Sequence, residues 1–417
     1  VFNFNRVRKA ILRKKNQGKN MWMSLKSLSV KSWLSCGAAV LVWVCLSNGL
    51  AAAATQPHYL VTNDDAPFSN SVTFYTVGAN GSLTLKEQVL TGGSGIGSGF
   101  FATDRVSVLD NGSQQCVYAS NAFTGNITGI DVNTLLVGGS ASGSATDSGS
   151  ANGIGLAINN QFLYASFTTS NTIGTFQVQP GCSLTFIGDT SVVGLQGGFI
   201  DGMTIHGNIM VTTYGDGSIE SFNIASGTPV SNGDEQNSTA YTKSQGATYP
   251  NGVEITKDGR FALFGDTATS TVIEVSNISS GKLSKTEAFT LGLTISSSDI
   301  ILSPDETLLY ISNTQGDKIT GASFDKTTGR LSANCASGRL KGYSSAWSYL
   351  AGLALGSNAG TGEVVYVAEF GAPSSIGMVQ VTSTGGKCTL NEVTGSPAAD
   401  PNSPGLLSIG SFPPRSF

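Results

Sequence analysis

The chain has 417 residues, of which 40% are hydrophobic, 12% charged and 53 glycine, a composition that supports a large core and excludes a disordered or collagen-like chain. Glycine, serine and threonine abound while long Ala/Leu/Glu/Lys stretches at helical spacing are absent, which excludes a helical bundle and points to an all-β chain. Nine of the 23 basic residues precede the first acid, Asp64, and the body that follows residue 54 is so acidic that binding to nucleic acid is excluded.

Residues 1–54 read as an N-terminal extension and signal peptide. Lys26 and Lys31 precede an apolar run from Gly37 to Leu46, followed by Ser47, Asn48 and Gly49 and then by Ala52 and Ala54 in Ala-x-Ala spacing. Positive residues, an apolar stretch and small residues at the end make the pattern of a cleaved secretory signal. The alternative is an uncleaved anchor, against which the polar centre at Ser47 to Gly49 argues. A secreted or periplasmic protein with no membrane span in its mature form is expected.

From residue 55 onwards one short pattern recurs: an apolar or aromatic pair, a small or β-branched residue, then a polar residue that ends a strand. Its copies are Leu60-Val61-Thr62-Asn63, Tyr118-Ala119-Ser120-Asn121, Tyr164-Ala165-Ser166-Phe167, Met210-Val211-Thr212-Thr213, Leu263-Phe264-Gly265-Asp266, Tyr310-Ile311-Ser312-Asn313 and Tyr366-Val367-Ala368-Glu369, spaced 58, 46, 46, 53, 47 and 56 residues apart. An alternating strand follows each copy, as in Ser71 to Val77 and Thr172 to Val178, and apolar residues at every second position make these strands half-buried. Turn glycines such as Gly81, Gly281 and Gly329 then lead into a further outer strand.

Another strand precedes most copies, opening at Asn152-Gly153, Asp201-Gly202, Asn251-Gly252, Asp299-Ile300 and Ala351-Gly352. Four strands per unit of about 50 residues match a β-propeller blade. The first copy lacks its leading strand, while the C-terminus carries an orphan one, Leu406-Leu407-Ser408-Ile409. The expected fold is therefore all-β, a seven-bladed β-propeller over residues 55–417, closed by a C-terminal strand that completes the first blade. A pair of β-sandwiches fits less well, because sandwich strands do not recur as ordered quartets. The Gly/Ser-rich stretches from Gly92 to Gly99 and from Gly138 to Gly153 are expected as loops between blades.

Four cysteines, Cys116, Cys182, Cys335 and Cys388, remain in the body. An even number in an exported chain favours two disulfides, with three connectivities open. Cys116 with Cys182 and Cys335 with Cys388 is the expected pairing, because each pair would join neighbouring blades.

In a propeller the start of the innermost strand and the end of the second lie on one face, around one mouth of the channel. That rule collects Arg105, Asn152, Asp201, Asn251, Ser298 and Asp299 from the first position, and Asn63, Asn121, Asp266, Asn313 and Glu369 from the second. Such a ring of carboxylates and amides suits a small hydroxylated ligand or a hard cation, although Asn and Asp at strand ends also cap turns. His58 and His206 are expected to be structural or exposed, and no Gly-x-Ser-x-Gly or Walker-type motif occurs.

With these motifs in view, the sequence resembles the lactonase-type seven-bladed propellers, the family around 6-phosphogluconolactonases and their Tyr-Val-Thr-Asn repeat relatives. The resemblance rests on Ser303-Pro304-Asp305-Glu306-Thr307-Leu308-Leu309-Tyr310-Ile311-Ser312-Asn313 and on Lys257-Asp258-Gly259-Arg260-Phe261. Asp201-Gly202-Met203 and Pro250-Asn251-Gly252-Val253 also resemble segments of the gluconolactonase and regucalcin-like propellers. That likeness implies Asp201 and Asn251 as catalytic residues and as ligands of Ca²⁺ or another divalent cation, while the ring of strand ends offers Arg105, Asn152, Asp266, Asp299 and Glu369 as ligand-binding residues. The implied activity is hydrolysis of a sugar-acid lactone or related ester. The alternative is a non-catalytic monomer that holds a ligand or an envelope protein.

Overall fold

The computed structural model describes residues 58–97, 102, 104–144, 153–237, 250–266, 272–291, 297–313, 317–342, 349–358, 362–371, 373–384 and 387–414. The expected signal segment and Asn152 lie outside the described residues.

Seven antiparallel sheets make up the ring. Within each blade the strands are lettered a to d from the channel outwards. Blade 1 takes its strand a from the C-terminus, Ser408–Phe412, and continues with Tyr59–Asn63, Ser71–Val77 and Leu83–Leu90. Blade 2 is Val106–Asp110, Gln115–Asn121, Asn126–Asp131 and Leu136–Ser142, and blade 3 is Ile154–Ile158, Phe162–Phe167, Thr172–Val178 and Leu184–Ser191. Blade 4 is Ile200–His206, Ile209–Tyr214, Ser218–Asn223 and the short Val230–Ser231, while blade 5 is Pro250–Ile255, Phe261–Asp266, Val272–Ser279 and Lys282–Thr290. Ser297–Leu302, Leu308–Asn313, Ile319–Asp325 and Arg330–Ala336 form blade 6, and Tyr349–Asn358, Gly362–Phe370, Ser375–Thr384 and Lys387–Glu392 form blade 7.

The closing strand is where the sequence puts it. Leu60 pairs with Ser411, Val61 with Gly410, Thr62 with Ile409 and Asn63 with Ser408. Apolar side chains from neighbouring blades then fill each seam. Leu60, Tyr75, Leu406, Leu407 and Ile409 pack with Ala354, Val364 and Tyr366 of blade 7, while Val61, Val72 and Phe74 pack with Val106 and Val117 of blade 2. The core is therefore a set of wedges between blades, and each blade depends on both neighbours for burial.

The outer turn of one blade also reaches back onto the blade before it. Tyr164 donates its hydroxyl to Gly227 O at 2.8 Å, Tyr366 donates to Gly81 O at 3.0 Å, and Ser221 Oγ donates to Gly281 O at 2.9 Å. Arg260 donates to Lys326 O at 2.5 Å. At two other seams the connection is covalent: Cys116 of blade 2 joins Cys182 of blade 3, and Cys335 of blade 6 joins Cys388 of blade 7.

One expected loop is a strand instead. Residues 136–142, which include Gly138 and Gly139, form strand d of blade 2. The cause is the outer turn of blade 3, which presses so closely on this strand that a Cβ at residue 138 would stand 1.8 Å from Gly181 O. Glycine here makes room for a neighbouring backbone rather than for a flexible linker.

Ending the chain at residue 403 removes strand a of blade 1 and uncovers Leu60 and Val61. The truncated protein is expected to lose its cooperative thermal transition and bind a hydrophobic dye, and a peptide of residues 404–414 should restore the transition. Calorimetry with and without the peptide checks this.

Candidate functional site at the channel mouth

Backbone register confirms which ends share a face. Ile200 pairs with Tyr214, Pro250 with Asp266, Ser297 with Asn313 and Leu350 with Glu369. In blades 4 to 7 strand a carries a bulge at this end, holding Asp201-Gly202, Asn251-Gly252, Ser298-Asp299 and Ala351-Gly352 in turn. Each two-residue bulge faces a single small residue of strand b: Thr213, Gly265, Ser312 or Ala368. Bulges re-aim side chains and bend strands, and here they bend the inner strands towards one another around the channel.

This explains the small or hydroxylated residue in the repeat. Thr213 Oγ1 accepts the Gly202 N–H at 2.8 Å, and Ser312 Oγ accepts the Asp299 N–H at 2.9 Å. In blade 3, Ser166 Oγ accepts the Gly155 N–H at 2.9 Å. The Gly202 and Asp299 amides leave the strand ladder at the bulge, and a short hydroxyl satisfies them. Adjacent inner strands are then in direct contact. A Cβ on Gly252 would lie 2.7 Å from Ile300 N and 2.8 Å from Asp299 Cα. The Leu156 N–H donates to Asp104 O at 2.7 Å, and the Gly352 N–H to Leu407 O at 2.9 Å.

The ring residues are not equivalent. Arg105 is 1% exposed; its Nη1 lies 2.5 Å from Asp65 Oδ2 and its Nε donates to Ala102 O at 3.0 Å. Asp65 Oδ1 and Oδ2 also accept the Ile96 and Gly97 amides, each at 3.2 Å. This guanidinium therefore forms part of the wall between blades 1 and 2. Asn63 and Asn121 belong to the same wall: Asn63 Nδ2 donates to Arg105 O and Ser120 O, each at 2.9 Å, and Asn70 Nδ2 donates to Asn121 Oδ1 at 2.9 Å.

Asp201 and Asn251 are each 1% exposed, on neighbouring blades. Asp266 ends strand b of blade 5, paired through its backbone with Pro250. His206 ends strand a of blade 4, at the face opposite the mouth. Among the described residues no group of three or more His, Cys, Asp or Glu side chains has the arrangement of a metal cage.

Two carboxyls that the repeat did not single out act on Asp299. Asp104 directly precedes Arg105, and Glu254 lies in strand a of blade 5. Asp299 Oδ2 accepts the Leu353 N–H of blade 7 at 2.7 Å and its Oδ1 accepts the Ile300 N–H at 2.8 Å. Burial holds the Asp299 carboxyl well above the usual range, and the charges of Asp104 and Glu254 raise it further. Burial pushes Asp104 up to about 7. Carboxyls from blades 2 and 6 thus interact across the ring. A charged residue placed beside an inner strand of a propeller, such as Asp104 or Glu254, was the available signal, because that strand borders the channel on its open edge.

Glu369 is 2% exposed. Its Oε2 accepts the Ser375 hydroxyl, and its Oε1 is buried without a hydrogen-bond partner. Burial pushes this carboxyl up to about 7, and Glu392 adds to the rise.

No protein-family model matches the sequence, and no curated protein matches it significantly. Solved structures do match. A Bacteroides fragilis protein described as a candidate 6-phosphogluconolactonase aligns over 86% of this chain and 99% of its own, with 13% identity and a TM-score of 0.64. A protein of unknown function from Desulfotomaculum acetoxidans aligns over 86% of this chain and 100% of its own, with 14% identity and a TM-score of 0.60. The periplasmic gluconolactonase PpgL of Pseudomonas aeruginosa aligns over 67% of this chain and 82% of its own, with 15% identity and a TM-score of 0.53. In fold the chain is a seven-bladed β-propeller like these structures.

Two expectations follow. Gly252→Val pushes a side chain into the backbone of blade 6 and should cost about 1–3 kcal/mol in chemical denaturation. Glu369 has a raised folded pKa, so its contribution to stability is full below its unfolded value and is lost as pH rises through about 7. Glu369→Gln should therefore leave the melting temperature unchanged near pH 4 and raise it at pH 8, as a pH series of thermal melts would show.

Proposed function

We propose that this chain is an exported lactonase-like hydrolase that opens an unphosphorylated sugar-acid lactone or related ester at the channel mouth. The observation that supports the reading is the buried Asp299 carboxyl, held by the Leu353 and Ile300 amides and raised by burial and by the charge of Asp104. Two carboxyls in such a setting share a proton near neutral pH and titrate as a unit. One member is then a base that takes a proton from the attacking water. The other is an acid that protonates the ring oxygen as it leaves.

The carboxylates and amides around the mouth suit a neutral, hydroxyl-rich ligand. Phosphate would need a cation, and the Arg105 guanidinium is paired with Asp65. In this reading Asp201 and Asn251, both 1% exposed, hold the bulged wall that positions Asp299, and Glu369 contributes to the polar rim. Export is supported by the signal-like segment, by two disulfides and by the periplasmic origin of PpgL.

The test is hydrolysis of glucono-lactone and related unphosphorylated lactones, followed across pH. Activity is expected to peak near neutrality, with Asp104→Asn and Asp299→Asn each lowering kcat by about 10²-fold or more. Wild-type rates in both variants would remove the pair from the chemistry. Absence of turnover on every lactone would favour the non-catalytic binding alternative. Secreted protein should begin after Ala54, as N-terminal sequencing would read.

A further inference from the structure

A second group of buried carboxyls lies away from the channel pair, at the seam where the C-terminal segment closes the ring. Asp64 is 0% exposed and Asp400 is 1% exposed. Asp64 Oδ1 accepts the Thr62 hydroxyl at 2.5 Å, and its Oδ2 accepts the hydroxyls of Ser71 at 2.5 Å and Thr73 at 2.8 Å. Asp400 comes from the closing segment. Its Oδ1 accepts the Asn402 N–H at 3.3 Å, and its Oδ2 is buried without a hydrogen-bond partner.

The closing segment is fastened at this point. Ser403 Oγ donates to Asp64 O at 2.9 Å, Asn402 Nδ2 donates to Thr73 Oγ1 at 3.2 Å, the Asp400 N–H donates to Ser374 O at 3.0 Å, and the Tyr75 hydroxyl donates to Ala399 O at 3.2 Å. The charge of Asp64 acts on Asp400, and the hydroxyls of Thr62 and Tyr75 neighbour it. Among the described residues no arginine or lysine forms an ion pair with either carboxyl. Two carboxylates buried together with no counter-charge are strongly unfavourable.

We propose that this seam is a Ca²⁺ site that locks the propeller shut, with Asp64 and the unpartnered Asp400 Oδ2 as its anionic ligands and the Thr62, Ser71 and Thr73 hydroxyls and the Ala399 carbonyl as neutral ones. The donor set is oxygen throughout, as a hard cation requires, and it comes from two separate chain segments, as Ca²⁺ tolerates better than Mg²⁺. Binding would neutralise the pair and hold the closing segment, Asp400 with it, against the strands that bear Thr62, Ser71 and Thr73. Because those segments meet only in the closed ring, the ion would stabilise the folded state by linkage.

The experiment is thermal unfolding of the disulfide-intact protein at pH 8, in Ca²⁺ and in EDTA, with calorimetric titration of Ca²⁺ into chelator-treated protein. At Ca²⁺ about a hundredfold above Kd, a rise of about 5 °C in Tm is expected. Asp400→Asn should abolish the rise and the binding heat, whereas Asp201→Asn, at the channel mouth, should keep both. Tb³⁺ placed in the seam should luminesce on excitation of Tyr75, and Tyr75→Phe should lose that signal while keeping the Ca²⁺ shift. If Asp400→Asn does not fold, Thr73→Val provides the comparison through weakened binding. An unchanged Tm with no binding heat in the wild type overturns the proposal. So does a Ca²⁺ shift that survives Asp400→Asn.

Discussion

A propeller blade cannot bury its own faces. Each four-stranded sheet covers its apolar side chains only by wedging against two neighbours, so an open row of blades would leave its first and last members half exposed. The antiparallel pairing of Ser408–Phe412 with Tyr59–Asn63 removes that problem. It supplies blade 1 with its innermost strand and brings Leu406, Leu407 and Ile409 into the seam with blade 7.

Closure also determines how tightly the centre is drawn. With seven wedges in place the inner strands meet at the mouth, and the bulges at Asp201, Asn251, Asp299 and Ala351 bend them into contact. Small residues are required on both sides of that contact, glycine where a neighbouring backbone approaches and serine or threonine where a bulge amide needs an acceptor. The same crowding buries the carboxyls of Asp299 and Glu369. Burial raises Asp104, Asp299 and Glu369 as a consequence of the geometry that closes the ring.

The outer rim follows a different logic. There the outer turn of a blade reaches back onto its predecessor at several seams, held by a tyrosine or serine hydroxyl, an arginine, or a disulfide according to the seam. Cys116–Cys182 and Cys335–Cys388 occupy positions where other seams use a hydrogen bond to a backbone carbonyl. The covalent links are thus local versions of a connection repeated around the ring, not staples added to a deficient core.

The recurring quartets in the sequence determined the number of blades, the order of strands, the closing segment and the cysteine pairs that neighbouring blades could join. These are local properties, carried by period-two alternation and turn residues, and they survive without knowledge of any contact. The loop expected over Gly138 and Gly139 failed because its glycines answer to the turn at Gly181, on another blade. The same limit applied at the mouth, where the repeat located Arg105 and Asp299 but not their partners. Only the tertiary structure decided that Arg105 pairs with Asp65, that the charge of Asp104 acts on Asp299, and that Asp400 is brought to Asp64. Each of those pairs joins separate chain segments, and the charge and burial that define their chemistry arise from that encounter.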